Sequence, residues 1–203
     1  ILLCSFLFVW MMNLYNFMDG IDGMAATSTI FSCFALIIAL MITSGFSFLI
    51  IIFTILLLSC LGFLVFNWPP ASLFMGDSGS IFLGYFFGTL IMFTAFDGDI
   101  SIWTWLIVFS FFLGDTSVTI FMRILLSNKW YMPHRSHGYQ NLARILDSHK
   151  KVTFGVQVYN FLYILPLTFL SVTHSEWAPF ITIMALVPVI SFSLYFGPRY
   201  SAE

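Results

Sequence analysis

Phe48-Leu49-Ile50-Ile51-Ile52-Phe53-Thr54-Ile55-Leu56-Leu57-Leu58-Ser59-Cys60-Leu61-Gly62-Phe63-Leu64-Val65-Phe66 is an unbroken apolar run without a charged residue. A strand crossing lipid would alternate apolar and polar side chains over ~10 residues, and the stretch from Leu49 to Leu58 does not alternate. A helix satisfies every backbone N–H and C=O within its own segment, and about 20 apolar residues cross the hydrocarbon core. Working outward from this span (46–66), similar segments lie at roughly 1–12 (truncated), 24–43, 80–96, 101–121, 152–172 and 178–196. The expected fold is all-α: a polytopic membrane helical bundle of about seven transmembrane segments, forming a single domain over residues 1–203.

Composition agrees. The chain is 60% hydrophobic, 20% aromatic and 8% charged, with a mean hydropathy of +0.99. A soluble domain of this size could not bury that much apolar surface, so the solvent is lipid. The net charge of −2 points to no partner, and no basic run suggests nucleic acid. Cys4, Cys33 and Cys60 each sit inside an apolar stretch and read as small buried hydrophobes, not as a disulfide framework or zinc site. The chain starts Ile1-Leu2-Leu3, inside an apolar segment and without a basic leader region. The expectation is no cleavable signal peptide and a C-terminal part of a longer protein.

Sidedness follows from the basic residues. Of the seven, Arg123, Lys129, Arg135, Arg144, Lys150 and Lys151 fall in one loop, 122–151, and Arg199 in the tail. By the positive-inside rule that loop is cytoplasmic. Alternation then places loops 13–23 and 67–79 and the tail on the same side, with the turns near 44–47, 97–100 and 173–177 outside. The six Trp residues (10, 68, 103, 105, 130 and 177) fall near segment ends, as an aromatic belt requires. Pro166, Pro179 and Pro188 fall within apolar segments and are expected to kink them.

The few polar residues gather in the cytoplasmic connections. The first cluster is Asn13, Asn16 and Asp19-Gly20-Ile21-Asp22-Gly23. Two Asp three apart, each followed by Gly, suit a tight loop with room for close ligand approach. Capping of the next helix by Asp22 would explain one Asp but not two plus two Asn. A carboxylate at bilayer depth costs about 2.5–3.5 kcal/mol, which favours a functional reason. The second cluster runs from Asn67 through Pro69-Pro70 to Phe74-Met75-Gly76-Asp77-Ser78-Gly79-Ser80. The prolines end one helix. Asp77, at the start of the next, suits Mg²⁺ with substrate phosphate oxygens; the alternative is a helix cap supplied by Asp77 or Ser78. The third is Asp115 with Thr116, Thr119 and Arg123, either a site or a hydrogen bond to a neighbouring helix. The fourth is His134-Arg135-Ser136-His137-Gly138-Tyr139-Gln140. Its Arg fork and His donors suit phosphate, and a short amphipathic helix at the interface would start at His137. Zinc is discounted, since no Cys and no third His are near; a basic lipid-facing loop is the plain alternative. Asp97-Gly98-Asp99 reads as an external turn.

Asn-x-x-Asn-Phe-Met-Asp-Gly-Ile-Asp-Gly, then Asn-x-x-Pro-x-x-x-Phe-Met-Gly-Asp-Ser-Gly-Ser, then His-Arg-Ser-His resembles, in order, the polyprenyl-phosphate N-acetylhexosamine-1-phosphate transferases. The resemblance implies attack by undecaprenyl phosphate on the β-phosphorus of a UDP-N-acetylhexosamine, releasing UMP and starting cell-envelope polysaccharide synthesis. It implies Asp77 as ligand of Mg²⁺, with Mn²⁺ as a substitute, and Phe74 stacked on uracil. Asn13, Asn16, Asp19, Asp22 and Asn67 would line the nucleotide pocket. His134, Arg135, Ser136 and His137 would hold phosphate and sugar, with Asp19, Asp22, Asp77, His134 and His137 as the catalytic set. It further implies a multi-pass protein of the bacterial inner membrane with its site facing the cytoplasm, membrane lipid as a partner, and a homodimer as one option. The family's Asp-Asp pair is absent from these 203 residues, so the fragment alone is expected to lack activity. His-Arg-Ser-His looks more like the O-antigen and capsule-initiating branch than the muramoyl-pentapeptide branch. The other readings are an inactive remnant and a transporter or channel, whose acidic residues would sit near the bilayer midplane.

Overall fold

The computed structural model describes residues 2–43, 45, 47–126, 132 and 134–198. Lys129, Trp130 and Arg199, used above for sidedness and the aromatic belt, lie outside the described residues. Those described form ten α-helices, without a strand: α1 (Leu2–Met18), α2 (Met24–Thr43), α3 (Phe48–Asn67), α4 (Gly76–Asp97), α5 (Ile102–Val108), α6 (Ser110–Leu126), α7 (Gly138–Ile145), α8 (His149–Tyr159), α9 (Leu165–Thr173) and α10 (Ala178–Phe196). A π-turn, Asn160–Ile164, joins α8 to α9, and a 3₁₀ turn, Ser175–Trp177, leads into α10.

Five helices are long and apolar enough to cross a membrane, with α8 to α9 acting as one, and six if the bent pair α5–α6 is one span. The apolar part of α1, Cys4–Met18, is shorter than a span requires. The seven apolar segments expected from sequence are thus all helical: five full spans, the bent pair and this short helix. Large apolar side chains face outward in number, among them Ile51, Ile55, Leu58 and Val65 on α3. Water would not tolerate such a belt and lipid does.

The straight helix expected over 101–121 is instead two helices meeting at 76°. No Pro or Gly lies at the break. Phe109 sits there, packed on Phe87 (5.1 Å between ring centroids) and Trp105 (5.9 Å) and against Tyr15 (6.0 Å). Trp105, expected in the interfacial belt, is buried in this cluster and donates its indole N–H to Thr94 Oγ1 at 2.9 Å. Aromatic packing across α1, α4 and α5 thus fixes a bend that local sequence does not announce.

Two of the three prolines sit at helix starts rather than inside helices. Pro166 follows the π-turn, where Leu165 N bonds to Asn160 O; the widened turn precedes the missing N–H. Pro179 occupies the first turn of α10, where no intrahelical donor is lost. Pro188 alone lies inside a helix.

The connections segregate to the two ends of the bundle. At one end Thr43 Oγ1 reaches Asp99 O (3.5 Å), and Thr43, Gly98, Asp99, Ser171 and Ser175 line one small cavity. At the other end the 19–23 loop meets Asn67, Tyr139 and His149, and Asn141 bonds to the end of α10 at Phe196 O (2.6 Å) and Gly197 O (3.0 Å). The alternation read from the sequence is therefore present in space, and all four polar clusters sit at or near the second end. Arg123, Arg135, Arg144, Lys150 and Lys151 fall on elements of that same end.

Candidate functional site

Three polar side chains of α1 and α4 converge, with Asp19 close by. Asn16 Nδ2, one turn from the end of α1, donates to Asp77 Oδ1 (2.9 Å) and to Ser80 Oγ (3.3 Å), both in the first turns of α4. Asp77 does not cap its helix; Met75 holds that position without a side-chain bond. Asp19 follows α1 directly and feels the Asp77 charge. Partial burial first, and the Asp77 carboxylate second, push its pKa up to about 7, with the Gly76 backbone pulling the other way. Two carboxylates held together are favourable once a cation neutralises them.

Beside this pair lies a cavity of about 550 Å³, lined in part by Asn13, Asn16, Gly20, His134, Arg135, His137 and Gln140. Arg135 is exposed and carries the formal charge there. His134 is pushed down to about 4, chiefly by burial and then by His137 and Arg123, so it is neutral at physiological pH. Its Nδ1 lies 3.1 Å from Ser136 Oγ. The short helix expected from His137 is α7, with His137 at its N-cap, its backbone N–H donating to Gln140 Oε1 (3.4 Å). Tyr139, Gln140, Asn141 and Ala143 form its buried side, while Ile145 and Leu146 face outward.

Other expected site residues are placed elsewhere or are already engaged. Asn13 bonds within its own helix, to Val9 O (2.7 Å). Asp22 turns away from Asp77: its Oδ2 accepts from Ala71 N (3.1 Å) and lies 3.4 Å from His149 Nδ1, while its carbonyl accepts from Thr153 Oγ1 (2.8 Å). Asp22 thus ties the loop to the 67–75 turn and to α8. Asn67 is buried, accepts from Gly23 N (3.1 Å) and donates to Leu73 O (2.9 Å). Phe74 is 70% exposed, three residues before Asp77, and does not line the cavity. The described residues hold no group of three or more His, Cys, Asp or Glu able to bind a metal ion.

Asn67 makes a clear stability prediction. Asn67→Ala leaves Gly23 N–H and Leu73 C=O without partners inside the protein, at a cost of about 1–3 kcal/mol. Asn67→Asp keeps the acceptor and loses the donor, and should fall between. Thermal unfolding midpoints in detergent read the order wild type, Asp, Ala.

The residue that assembles the loop was not given a role from sequence. Tyr139 is fully buried, and its hydroxyl donates to Phe17 O (2.6 Å) while accepting from Gly20 N (3.0 Å) and Gln140 Nε2 (3.2 Å). Burial pushes its pKa up, so the hydroxyl keeps the proton it donates. The fit explains Gly20, whose φ is not positive: a Cβ there would lie 2.3 Å from the Tyr139 oxygen. Only Gly23 of the two loop glycines uses the left-handed region (φ 75°). Tyr139 lies two residues after His137 in sequence, but its partners Phe17 and Gly20 lie more than a hundred residues away.

Residues 1–95 match the family model described as glycosyl transferase family 4. Among curated proteins, the chain is 32% identical over 154 residues to a probable undecaprenyl-phosphate N-acetylglucosaminyl 1-phosphate transferase of Bacillus subtilis, covering 74% of this chain and 42% of that protein. It is 43% identical over 93 residues to a phospho-N-acetylmuramoyl-pentapeptide-transferase of Moorella thermoacetica, covering 46% of the chain and 29% of that protein. A protein of the same name from Nautilia profundicola is 41% identical over 100 residues, 42% of the chain and 28% of that protein. The chain spans less than half the length of these relatives. No solved structure matches it.

Proposed function

We propose that this chain, whose residues 1–95 match glycosyl transferase family 4, belongs to a protein that transfers an N-acetylhexosamine-1-phosphate from a UDP-sugar to undecaprenyl phosphate, releasing UMP. The observation that carries this reading is the convergence of Asn16, Asp19 and Asp77 beside a cavity lined by His134, Arg135 and His137. One substrate is soluble and the other is dissolved in lipid, so a polar site at the end of an apolar bundle suits both. The site end faces the cytoplasm of the bacterial inner membrane by the positive-inside rule.

Phosphoryl transfer needs positioning and neutralisation of oxygen charge more than covalent help. Asp77, with Asp19 beside it, would hold Mg²⁺; the donor set fits, because Mg²⁺ commonly takes one or two carboxylates together with substrate phosphates. The ion would draw off negative charge from the diphosphate oxygens. Asn16 orients Asp77, Arg135 offers a fork for phosphate, and neutral His134 can accept from or donate to a sugar group. Exposed Phe74 is available to stack on the uracil. Asp22 and Asn67 serve by fixing the loop that carries Asp19. The lipid phosphate attacks the β-phosphorus, and the bond to the UMP oxygen breaks.

A transporter would place its acidic residues near mid-span. Here Asp19 follows the last residue of α1 and Asp77 lies in the first turn of α4, which favours the transferase. The test is the protein expressed from its complete reading frame in membranes, with undecaprenyl phosphate, Mg²⁺ and a panel of UDP-N-acetylhexosamines. A lipid-diphosphate-sugar product from at least one donor is expected; none from any donor contradicts the reading.

The Asp19 shift gives a pH prediction. A carboxyl raised to about 7 favours the metal-free fold at low pH, and that contribution is lost as pH rises through 7. A cation must displace that proton, so Mg²⁺ affinity should weaken about tenfold per pH unit below 7 and level off above it. Mg²⁺-dependent thermal shifts between pH 5.5 and 8.5 check this, and Asp19→Asn should flatten the profile.

A further inference from the structure

Asp115 lies inside α6 and is 0% exposed, a placement that needs a reason. Its Oδ1 is saturated: Gly138 N donates at 2.9 Å from the start of α7, and Ser193 Oγ at 2.8 Å from α10. Its Oδ2 lies 3.4 Å from Nδ1 of His137, which is 1% exposed. That is a long contact rather than a well-formed hydrogen bond, and Oδ2 and both ring nitrogens of His137 have no other hydrogen-bond partner. His137 also lines the cavity described above, its ring flanked by His134 (5.0 Å), Phe17 (5.6 Å) and Tyr139 (6.0 Å).

We propose that Asp115 is a positioning residue that fixes the tautomer and orientation of His137, leaving His137 Nε2 to accept from a hydroxyl or amide N–H of the donor sugar. The inference rests on the transferase reading. A carboxylate can only accept, so it selects the imidazole that carries hydrogen on Nδ1. The aromatic neighbours restrict the ring plane. Gly138 completes the device. A Cβ at that position would lie 2.6 Å from Asp115 Oδ1 and 3.0 Å from the Phe192 ring, so a larger residue would push the carboxylate off its seat. Ser193 then aims the carboxylate from a third helix. The bundle spends three elements on one imidazole, whereas a simple tie between α6 and α10 would need only Ser193.

Asp115→Asn tests this, because the amide has nearly the same shape and presents either an N–H donor or an oxygen to His137. If the N–H faces the ring, the hydrogen moves to Nε2 and the wrong tautomer meets the substrate. The assay is donor turnover in membranes for wild type, D115N, H137A and the double variant. D115N should lower kcat by about 10–100-fold, the scale seen for outer-shell partners, with KM for the UDP-sugar within about twofold. In the H137A background it should cost no more than about twofold further, since Asp115 acts through that ring. Equal losses in both backgrounds, or a fully active D115N, overturn the inference and leave Asp115 as a helix tie. If D115N does not fold, S193A removes one of the two Oδ1 donors and reads the same coupling. An inactive wild type overturns the transferase reading and this role with it; an active wild type with additive losses overturns only the role.

Discussion

Asp77→Asn lowers the rate of sugar-phosphate transfer by about 10²–10³-fold, the scale on which removal of one preorganised electrostatic group is felt. The fold should survive. Asp77 is exposed, and an Asn there can still accept from Asn16 Nδ2, the one bond the carboxylate makes to α1 at 2.9 Å. What disappears is a negative charge facing Asp19. The proton affinity of Asp19 then drops part of the way toward its ordinary range, because burial, its larger cause, remains. Without Mg²⁺ the variant should be as stable as wild type or slightly more so, since two like charges no longer face each other. With Mg²⁺ the order reverses: wild type gains stability on binding and the variant does not. Thermal midpoints in chelator and in Mg²⁺, set beside turnover, separate loss of the cation from loss of the fold.

Tyr139→Ala has the largest expected effect on stability. Emptying a fully buried aromatic site costs about 3–5 kcal/mol, and Gly20 N–H and Phe17 C=O lose their shared partner as well. A loss of that size is comparable to the whole stability of many domains, so little folded protein should accumulate. Tyr139→Phe isolates the hydroxyl. The ring stays, Gly20 N–H and Phe17 C=O are left unpaired, and about 1–3 kcal/mol is lost. The loop carrying Asp19 is then no longer pinned to α7, so activity should fall more than the unfolding midpoint alone would explain. Turnover and midpoint measured on the same detergent-purified sample test the pair. A Phe variant with wild-type turnover would show that the hydroxyl does not set the loop.

The parts of the molecule that could be read from sequence are those with a local cause. The run through α3 announces a helix in lipid because no other backbone form is satisfied there, and Gly76-Asp77 after Pro69-Pro70 announces a helix start. The bend at Phe109 could not be read, because its cause is packing against Tyr15 and Phe87 from other helices. Trp105 was read as interfacial for the same reason: in a chain this apolar, hydrophobic pattern does not tell a core-facing ring from a lipid-facing one. Within the site, the residue types were legible and their partners were not. Asp22 and Asp19 look equivalent in Asp-Gly-Ile-Asp-Gly, yet one meets Asp77 and the other His149, a residue 127 positions on. Asp115 left a helix tie and a functional site open; its bond to Ser193 is the tie, and its approach to His137 adds a second task.

Exchange of labelled UMP into UDP-N-acetylhexosamine tests the central claim most directly. Membranes containing the protein from its complete reading frame are supplied with undecaprenyl phosphate, the unlabelled UDP-sugar and Mg²⁺. Label is expected in the UDP-sugar, dependent on the lipid phosphate and on the cation, and nearly abolished by Asp77→Asn. No exchange with any UDP-N-acetylhexosamine, or exchange unchanged by Asp77→Asn, would contradict it.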